Sequence, residues 1–151
     1  MDTLLQIRDS ALNMLARREH SQLELKQKLQ TRFKDQEDEV DITLVKLIED
    51  NYQSDQRFCE SFIRYRQQKG YGEVRIISEL KIKGINTELI HQSFSESELD
   101  GFEIALRVKT SKFGRLVSQD FKDKSKQYRY LQYRGFTSDQ INYAIQEDTL
   151  E

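Results

Sequence analysis

The residues best suited to metal binding or nucleophilic catalysis are few and scattered. The chain has one cysteine, Cys59, and two histidines, His20 and His91, and their spacing matches no metal-ligand motif. Cys59 lies near Phe58 and Phe62 on a predicted helix, so we expect a small buried packing residue and not a nucleophile. The sequence therefore predicts no bound metal, no cofactor and no catalytic thiol.

Phosphate binding and acid–base catalysis also lack the residues that they need. The segment Gly70–Gly72 follows no strand pattern and precedes no Lys-Ser or Lys-Thr, so we interpret it as a helix break. The many carboxylates stand in polar loops and faces, where nothing raises a pKa for proton transfer. We expect a protein that is not an enzyme and has no small-molecule substrate. A hydrolase that uses Cys59 as its nucleophile is the least favoured of the alternatives considered.

Basic and aromatic residues are concentrated in the middle and last parts of the chain. Residues 1–55 carry 8 Lys and Arg against 12 acids, residues 56–94 carry 7 against 4, and residues 101–136 carry 9 against 3, before an acidic tail from Thr137. Lysine and arginine neutralise phosphates or meet acidic protein grooves, and tyrosine adds a flat stacking surface. The candidate partner- or DNA-binding residues are Arg64, Arg66, Lys69, Arg75, Lys81, Lys83, Lys112, Arg115, Lys122, Lys124, Lys126, Arg129 and Arg134.

The composition favours helices from end to end. The chain has no proline and only 6 glycines, so it lacks the residues that strands and tight hairpins require at their ends. Its hydrophobic share of 36% is thin for one compact core and favours an elongated stack of small clusters. A single cysteine, no secretory leader and no apolar run of roughly 18–20 residues predict a cytoplasmic protein that does not insert into a membrane.

A repeat with a period of 51 residues divides the chain. Leu29, Leu80 and Leu131 are equally spaced, and the segment Leu80–Ile90 aligns with Leu131–Ile141 without a gap. A period near 50 indicates tandem units, each too small to bury its apolar face alone. We predict an all-α fold of three tandem three-helix repeats, at residues 1–53, 54–98 and 99–151.

Within the first unit, apolar spacing marks the helices. Apolar residues recur every three or four positions over residues 4–15, which is the spacing of one helix face. After an acidic loop at residues 34–39, Val45, Ile48 and Tyr52 mark the third helix. We expect these three side chains to face the core.

Capping residues and glycines define the helix ends. The segments Ser21–Glu24 and Thr137–Gln140 have the capping-box arrangement, in which each end residue bonds to the backbone N–H of the other. Gly84 and Gly135 stand where a helix C-terminus needs a left-handed residue. The two glycines predict the turn before the last helix of the second and third units.

Three segments resemble the RecX family, which comprises regulators of the bacterial recombinase RecA. The central segment SDQRFCESFIRYRQQKGYGEVRIISELKIKGI (Ser54–Ile85) is similar to the family's signature, Ala11–Leu29 is similar to its opening repeat, and Tyr130–Ile145 to its closing one. The resemblance implies three three-helix repeats in an elongated, curved array. It also implies binding in the groove of the RecA filament on single-stranded DNA, with inhibition of ATP hydrolysis, strand exchange and RecA-promoted repressor cleavage, and hence regulation of recombination, DNA repair and the SOS response. The sequence does not distinguish three mechanisms of inhibition: capping of filament growth, displacement of RecA from the DNA, and trapping of the filament in an inactive state.

The chain departs from the family pattern at two places. Cys59 stands where the family usually has alanine, and Arg32-Phe33 stands where the first repeat often has Lys-Gly, so we expect that turn to be built differently.

The main alternative function is a stand-alone helix-turn-helix DNA-binding protein. Against it, the helices predicted after Gly84 and Gly135 contain no Lys or Arg. We expect direct DNA binding to be weak and sensitive to salt.

Overall fold

The computed structural model describes residues 2–146 and is α-helical over that range, with no strand. The helices are α1 (Thr3–Arg17), α2 (Gln22–Arg32), α3 (Glu37–Glu49), α4 (Asp55–Gln68), α5 (Glu73–Ile82), α6 (Thr87–Ser95), α7 (Gly101–Phe113), α8 (Phe121–Tyr133) and α9 (Ser138–Gln146). The all-α class predicted from the sequence is confirmed. Residue 1 and residues 147–151 lie outside the described residues, and the latter hold three of the four acids of the acidic tail.

One compact unit is formed by the described part of Met1–Ser61 together with Leu80–Ser93. In it, α1, α2 and α3 pack on one another. The predicted capping box at the start of α2 is confirmed, because Ser21 Oγ accepts from the Glu24 N–H and Glu24 Oε1 accepts from the Ser21 N–H, each at 3.1 Å. The core of this three-helix group consists of Ile7, Ala11, Leu25, Leu29, Val40, Leu44 and Leu47.

The third helix begins earlier than the sequence predicted. Residues 37–39, assigned to an acidic loop, form the first turn of α3. Negative side chains are stabilised at a helix N-terminus by the helix dipole, which explains why this acidic run is helical. Just before it, Asp35 adopts a φ of 66°, a conformation that glycine usually supplies. The turn after Arg32-Phe33 is thus built without glycine, as predicted.

The buried face of α3 was also predicted wrongly. Val45 is 54% exposed, Ile48 is 37% exposed, and Tyr52 lies beyond the helix end and is 47% exposed. The helix carries a second apolar stripe of equal quality, and that stripe packs against α1 and α2. Its buried residues are Val40, Thr43, Leu44 and Leu47.

The second compact unit is formed by Phe62–Glu79 with the described part of Phe94–Glu151. Here α7, α8 and α9 pack on one another. The predicted capping box before α9 is confirmed, with Thr137 N–H donating to Gln140 Oε1 at 3.0 Å and Gln140 N–H donating to Thr137 Oγ1 at 3.2 Å. The buried core of this group is Ile104, Ala105, Leu131, Phe136, Ile141, Ala144 and Ile145.

The repeat found in the sequence has a structural counterpart. Leu29, Leu80 and Leu131 lie on α2, α5 and α8, the second helix of each group of three, and none has any exposed surface. Gly84 and Gly135 have φ angles of 83° and 99°, which confirms the left-handed turns predicted at these helix ends.

Candidate partner-binding surface

The residues with potential for chemistry are placed for packing. Cys59 has no exposed surface, and its burial raises the pKa of the thiol, offset in part by a hydrogen bond with Ser93. A neutral, buried thiol is a poor nucleophile. Over residues 2–146, no group of three or more His, Cys, Asp and Glu side chains is placed to hold a metal ion. Over the same residues, no helix has the length and apolar character needed to cross a membrane.

The candidate basic residues fall into two groups. Six are engaged within the fold: Arg66, Lys69, Arg75, Lys83, Lys112 and Arg134. The others form no ion pair among the described residues: Arg64, Lys81, Arg115, Lys122, Lys124, Lys126 and Arg129. All of this second group are exposed except Lys124, which is half-buried. The second group is therefore better suited to bind a partner.

Three of the engaged arginines surround one tyrosine ring. The guanidinium carbons of Arg66, Arg134 and Arg75 lie 3.9 Å, 4.2 Å and 4.4 Å from the centroid of the Tyr71 ring. Cations at this distance are attracted to the negative face of the ring. The sequence predicts these arginines as binding residues, and the structure brings them together around Tyr71.

One carboxylate balances part of this charge. Glu79 accepts two hydrogen bonds from Arg66, at 2.9 Å from Nε and 2.8 Å from Nη2, and its Oε2 lies 3.7 Å from Arg75 Nε. Paired, parallel hydrogen bonds of this kind fix an arginine in both position and orientation. The outer edge of the cluster is open, because Tyr133 is 77% exposed and its ring lies 5.3 Å from the Arg75 guanidinium.

A close approach of two turns holds the cluster in place. The Gly72 N–H donates to the Arg134 carbonyl at 2.8 Å, and the Val74 N–H donates to the Gly135 carbonyl at 2.9 Å. Arg134 Nε in turn donates to the Gly70 carbonyl at 2.9 Å. A Cβ on Gly72 would collide with the Gly135 backbone, so only glycine permits this approach. Gly70–Gly72 is thus more than the simple helix break that the sequence indicated.

The exposed face of α8 carries a basic stripe. Lys122, Lys126, Arg129 and Tyr133 are spaced by four, three and four residues, which places them on one helix face, and all are exposed. At 1.5 Å per residue the stripe is about 17 Å long. Lys124 lies on a different face of α8. The opposite face is anchored by residues buried in the core of the second unit, and Asp120 caps the helix through the Lys122 N–H.

Family models match the chain in three consecutive segments. The first three-helix domain of RecX matches residues 8–47, the second matches residues 54–93 and the third matches residues 98–145. The chain belongs to the RecX family. Its helices, over residues 2–146, are three RecX three-helix domains in tandem.

Relatives of known name agree with this assignment. The chain is 36% identical over 145 residues to Regulatory protein RecX of Vibrio vulnificus, covering 96% of this chain and 94% of that protein. It is 40% identical to the protein of the same name from Pseudomonas entomophila, covering 96% and 93%, and 43% identical to that from Mannheimia succiniciproducens, covering 83% of each. These relatives are named for regulation, and the family is one of regulatory proteins.

Solved RecX structures share the fold. The RecX crystal structure from Lactobacillus salivarius superposes with a TM-score of 0.80 at 22% identity, covering 98% of this chain and 97% of that one. A second crystal structure, described as regulatory protein RecX, gives a TM-score of 0.81 at 20% identity, covering 97% of this chain and 74% of that one. At these identities the comparison concerns the fold alone.

Sequence reasoning missed two residues that organise this RecX surface. Tyr71 was read only as part of a loop, because nothing local indicates that three arginines converge on its ring. Lys109 stands in a basic stretch yet has no exposed surface, and its Nζ donates to the Leu116 carbonyl at 3.1 Å. Its position beside Ala105 on the core face of α7 was the available signal.

Proposed function

We propose that this RecX-family chain binds in the groove of the RecA filament on single-stranded DNA and inhibits ATP hydrolysis, strand exchange and RecA-promoted repressor cleavage. By this it regulates recombination, DNA repair and the SOS response. It acts in the cytoplasm, catalyses no reaction of its own, and needs no cofactor. The observation that carries the proposal is the basic stripe of α8, presented by a chain whose residues 8–47, 54–93 and 98–145 match a family of regulatory proteins.

The exposed cations make the contact with the filament. Lys122, Lys126 and Arg129 are free to meet RecA carboxylates or DNA phosphates, and Tyr133 adds a flat surface at the end of the stripe. The Tyr71 cluster acts as scaffold because its guanidiniums are already engaged.

We assign the repeats to residues 1–53, 54–98 and 99–151, of which residue 1 and residues 147–151 lie outside the described range.

Reversing the stripe tests the contact. We predict that the triple variant Lys122→Glu, Lys126→Glu, Arg129→Glu co-sediments with RecA filaments on single-stranded DNA at least about tenfold more weakly than the unchanged chain, because three attractions become repulsions. The matched control is Lys26→Glu, Lys34→Glu, Lys46→Glu, which changes the net charge equally on the first unit. Circular dichroism checks that both variants keep their helices. Equal loss of binding in the two variants contradicts a role for the stripe.

The alternative DNA-binding function makes a different prediction. A helix-turn-helix protein reads bases with polar and basic side chains of its recognition helix, whereas α6 and α9 contain no Lys or Arg. A gel shift with duplex DNA in the absence of RecA separates the two functions. Tight, sequence-dependent binding in that assay would favour the alternative and contradict the proposal.

A further inference from the structure

A groove with an apolar floor opens on the first unit. It has a volume of about 630 Å³ and lies between the end of α1, one face of α2 and the end of α5. Met14, Leu23 and Ile82 provide its apolar surface, and Ile82 is 74% exposed. A volume of this size fits the pockets in which proteins hold small ligands or a few side chains.

The rim of the groove is basic although the first part of the chain is acidic. Arg17, Lys28 and Arg32 line it, and among the described residues none of them pairs with a carboxylate. Lys28 Nζ lies 3.1 Å from His20 Nε2, and burial lowers the pKa of His20, which favours the neutral imidazole. The lining acid, Glu24, is only 7% exposed.

The wall formed by the end of α5 is firmly attached to α2. Gly84 ends that turn with a φ of 83°, and a Cβ there would meet Leu23 Cβ at 2.9 Å, so turn and side chain are in tight contact. Lys83 Nζ donates to Glu24 Oε2 at 3.0 Å, while Arg18 holds the same carboxylate through two hydrogen bonds. Contacts within the unit therefore fix the shape of the groove. The carboxylate of Glu24, which lines it, is paired with Arg18 and Lys83.

We propose that this groove binds an acidic peptide segment of a partner protein, with apolar side chains of the peptide on Met14, Leu23 and Ile82 and its carboxylates against Arg17, Lys28 and Arg32. Charge complementarity identifies the occupant, because the three rim cations pair with no carboxylate among the described residues, although Arg32 also lies 5.9 Å from the centroid of the Phe33 ring. Nucleic acid fits less well. None of the described residues that line the groove is aromatic, and single strands are held largely by stacking of bases on aromatic rings. The site is separate from the α8 stripe and does not depend on the filament contact.

Fluorescence anisotropy tests the proposal with the full chain. The probe is an end-blocked, fluorescein-labelled peptide in which aspartates and glutamates flank one leucine and one phenylalanine. We expect saturable binding that weakens as salt is raised. Two control peptides separate the two parts of the site: one has Asn and Gln in place of the acids, and the other has Ala in place of the apolar residues. Both should bind at least about tenfold more weakly.

Two variants of exposed residues locate the site. Lys28→Glu with Arg32→Glu reverses two of the three rim charges, and Ile82→Ser removes the most exposed side chain of the floor; each should weaken peptide binding about tenfold. The matched controls are Lys34→Glu with Lys46→Glu, and Ile42→Ser, which lie on exposed positions of the same unit outside the groove. These controls should bind as the unchanged chain does.

Several outcomes would overturn the proposal. Among them are failure of the acidic peptide to bind, and undiminished binding by both groove variants. A third is tighter, rim-dependent binding of a single-stranded oligonucleotide of equal charge, since the site would then serve nucleic acid. A fourth is a dimer in sedimentation velocity that dissociates in the groove variants, since the occupant would then be a second copy of this chain.

Discussion

At the scale of single residues, Glu24 combines three tasks. It closes the capping box of α2, bonds to Arg18 at 3.0 Å and 3.1 Å, and accepts from Lys83 at 3.0 Å. Burial alone would raise its pKa, but hydrogen bonds from Arg18, Lys83 and the Ser21 N–H lower it to about 2. The ionised form of Glu24 therefore stabilises the first unit.

We predict that Glu24→Gln lowers the free energy of unfolding by about 2 kcal/mol near neutral pH, because the hydrogen bonds lose their charge. The folded pKa is about 2 and the ordinary value is 4.5, so the contribution is complete above pH 4.5 and is lost as the pH falls towards 2. Urea unfolding as a function of pH measures this. A difference between variant and unchanged chain that stays constant from neutral pH to about pH 3 is incompatible with this assignment.

In the second unit, Tyr71 resembles Glu24 in that one side chain contacts several basic side chains. Its ring receives three guanidiniums, and cation–ring contacts need the aromatic face, not the hydroxyl. We predict that Tyr71→Leu lowers thermal stability by about 1 to 3 kcal/mol, whereas Tyr71→Phe has little effect. Calorimetry compares the two variants. Equal losses would show that the ring face is not what matters.

At the scale of elements, the contact between the turn at Gly70–Gly72 and the turn at Arg134–Phe136 determines the geometry of the cluster. Its backbone hydrogen bonds require that no side chain intervene at Gly72 or Gly135. Two helix ends are thereby joined through their main chains.

We predict that Gly135→Ala destabilises the fold by at least about 2 kcal/mol more than Gly114→Ala. Both glycines have positive φ, at 99° and 89°, so both substitutions strain the backbone. Only at Gly135 would the new Cβ also collide, with Arg75, because Gly114 faces open space. Chemical denaturation of both variants gives the difference. If the two losses are alike, the close approach of the turns contributes nothing to stability.

Local signals in the sequence were sufficient to predict the helices, but they did not always show which face of a helix is buried. The spacing of Leu29, Leu80 and Leu131 identified equivalent buried positions, because a repeat preserves packing. For α3 the pattern was ambiguous: Val45 and Ile48 form as good an apolar stripe as the one that is buried, and only the position of α1 and α2 decides between them. Lys109 and the Tyr71 cluster depend on contacts between distant segments, which spacing does not reveal.

At the scale of the whole molecule, charge is segregated along the chain. Residues 1–55 are acidic and residues 101–136 are strongly basic, while the total is only −2. Such a distribution orients the approach to a charged polymer without a high net charge. The basic part carries the α8 stripe, and the acidic part carries the groove with the basic rim. We propose that the two surfaces bind different partners.

We propose that this chain restrains RecA. The most direct measurement is the rate of ATP hydrolysis by RecA on single-stranded DNA as the protein is added in increasing amounts. We predict that the rate falls progressively with added protein, and that the Lys122→Glu, Lys126→Glu, Arg129→Glu variant requires a higher concentration for the same fall. A hydrolysis rate that stays unchanged at protein concentrations equal to that of RecA would contradict it.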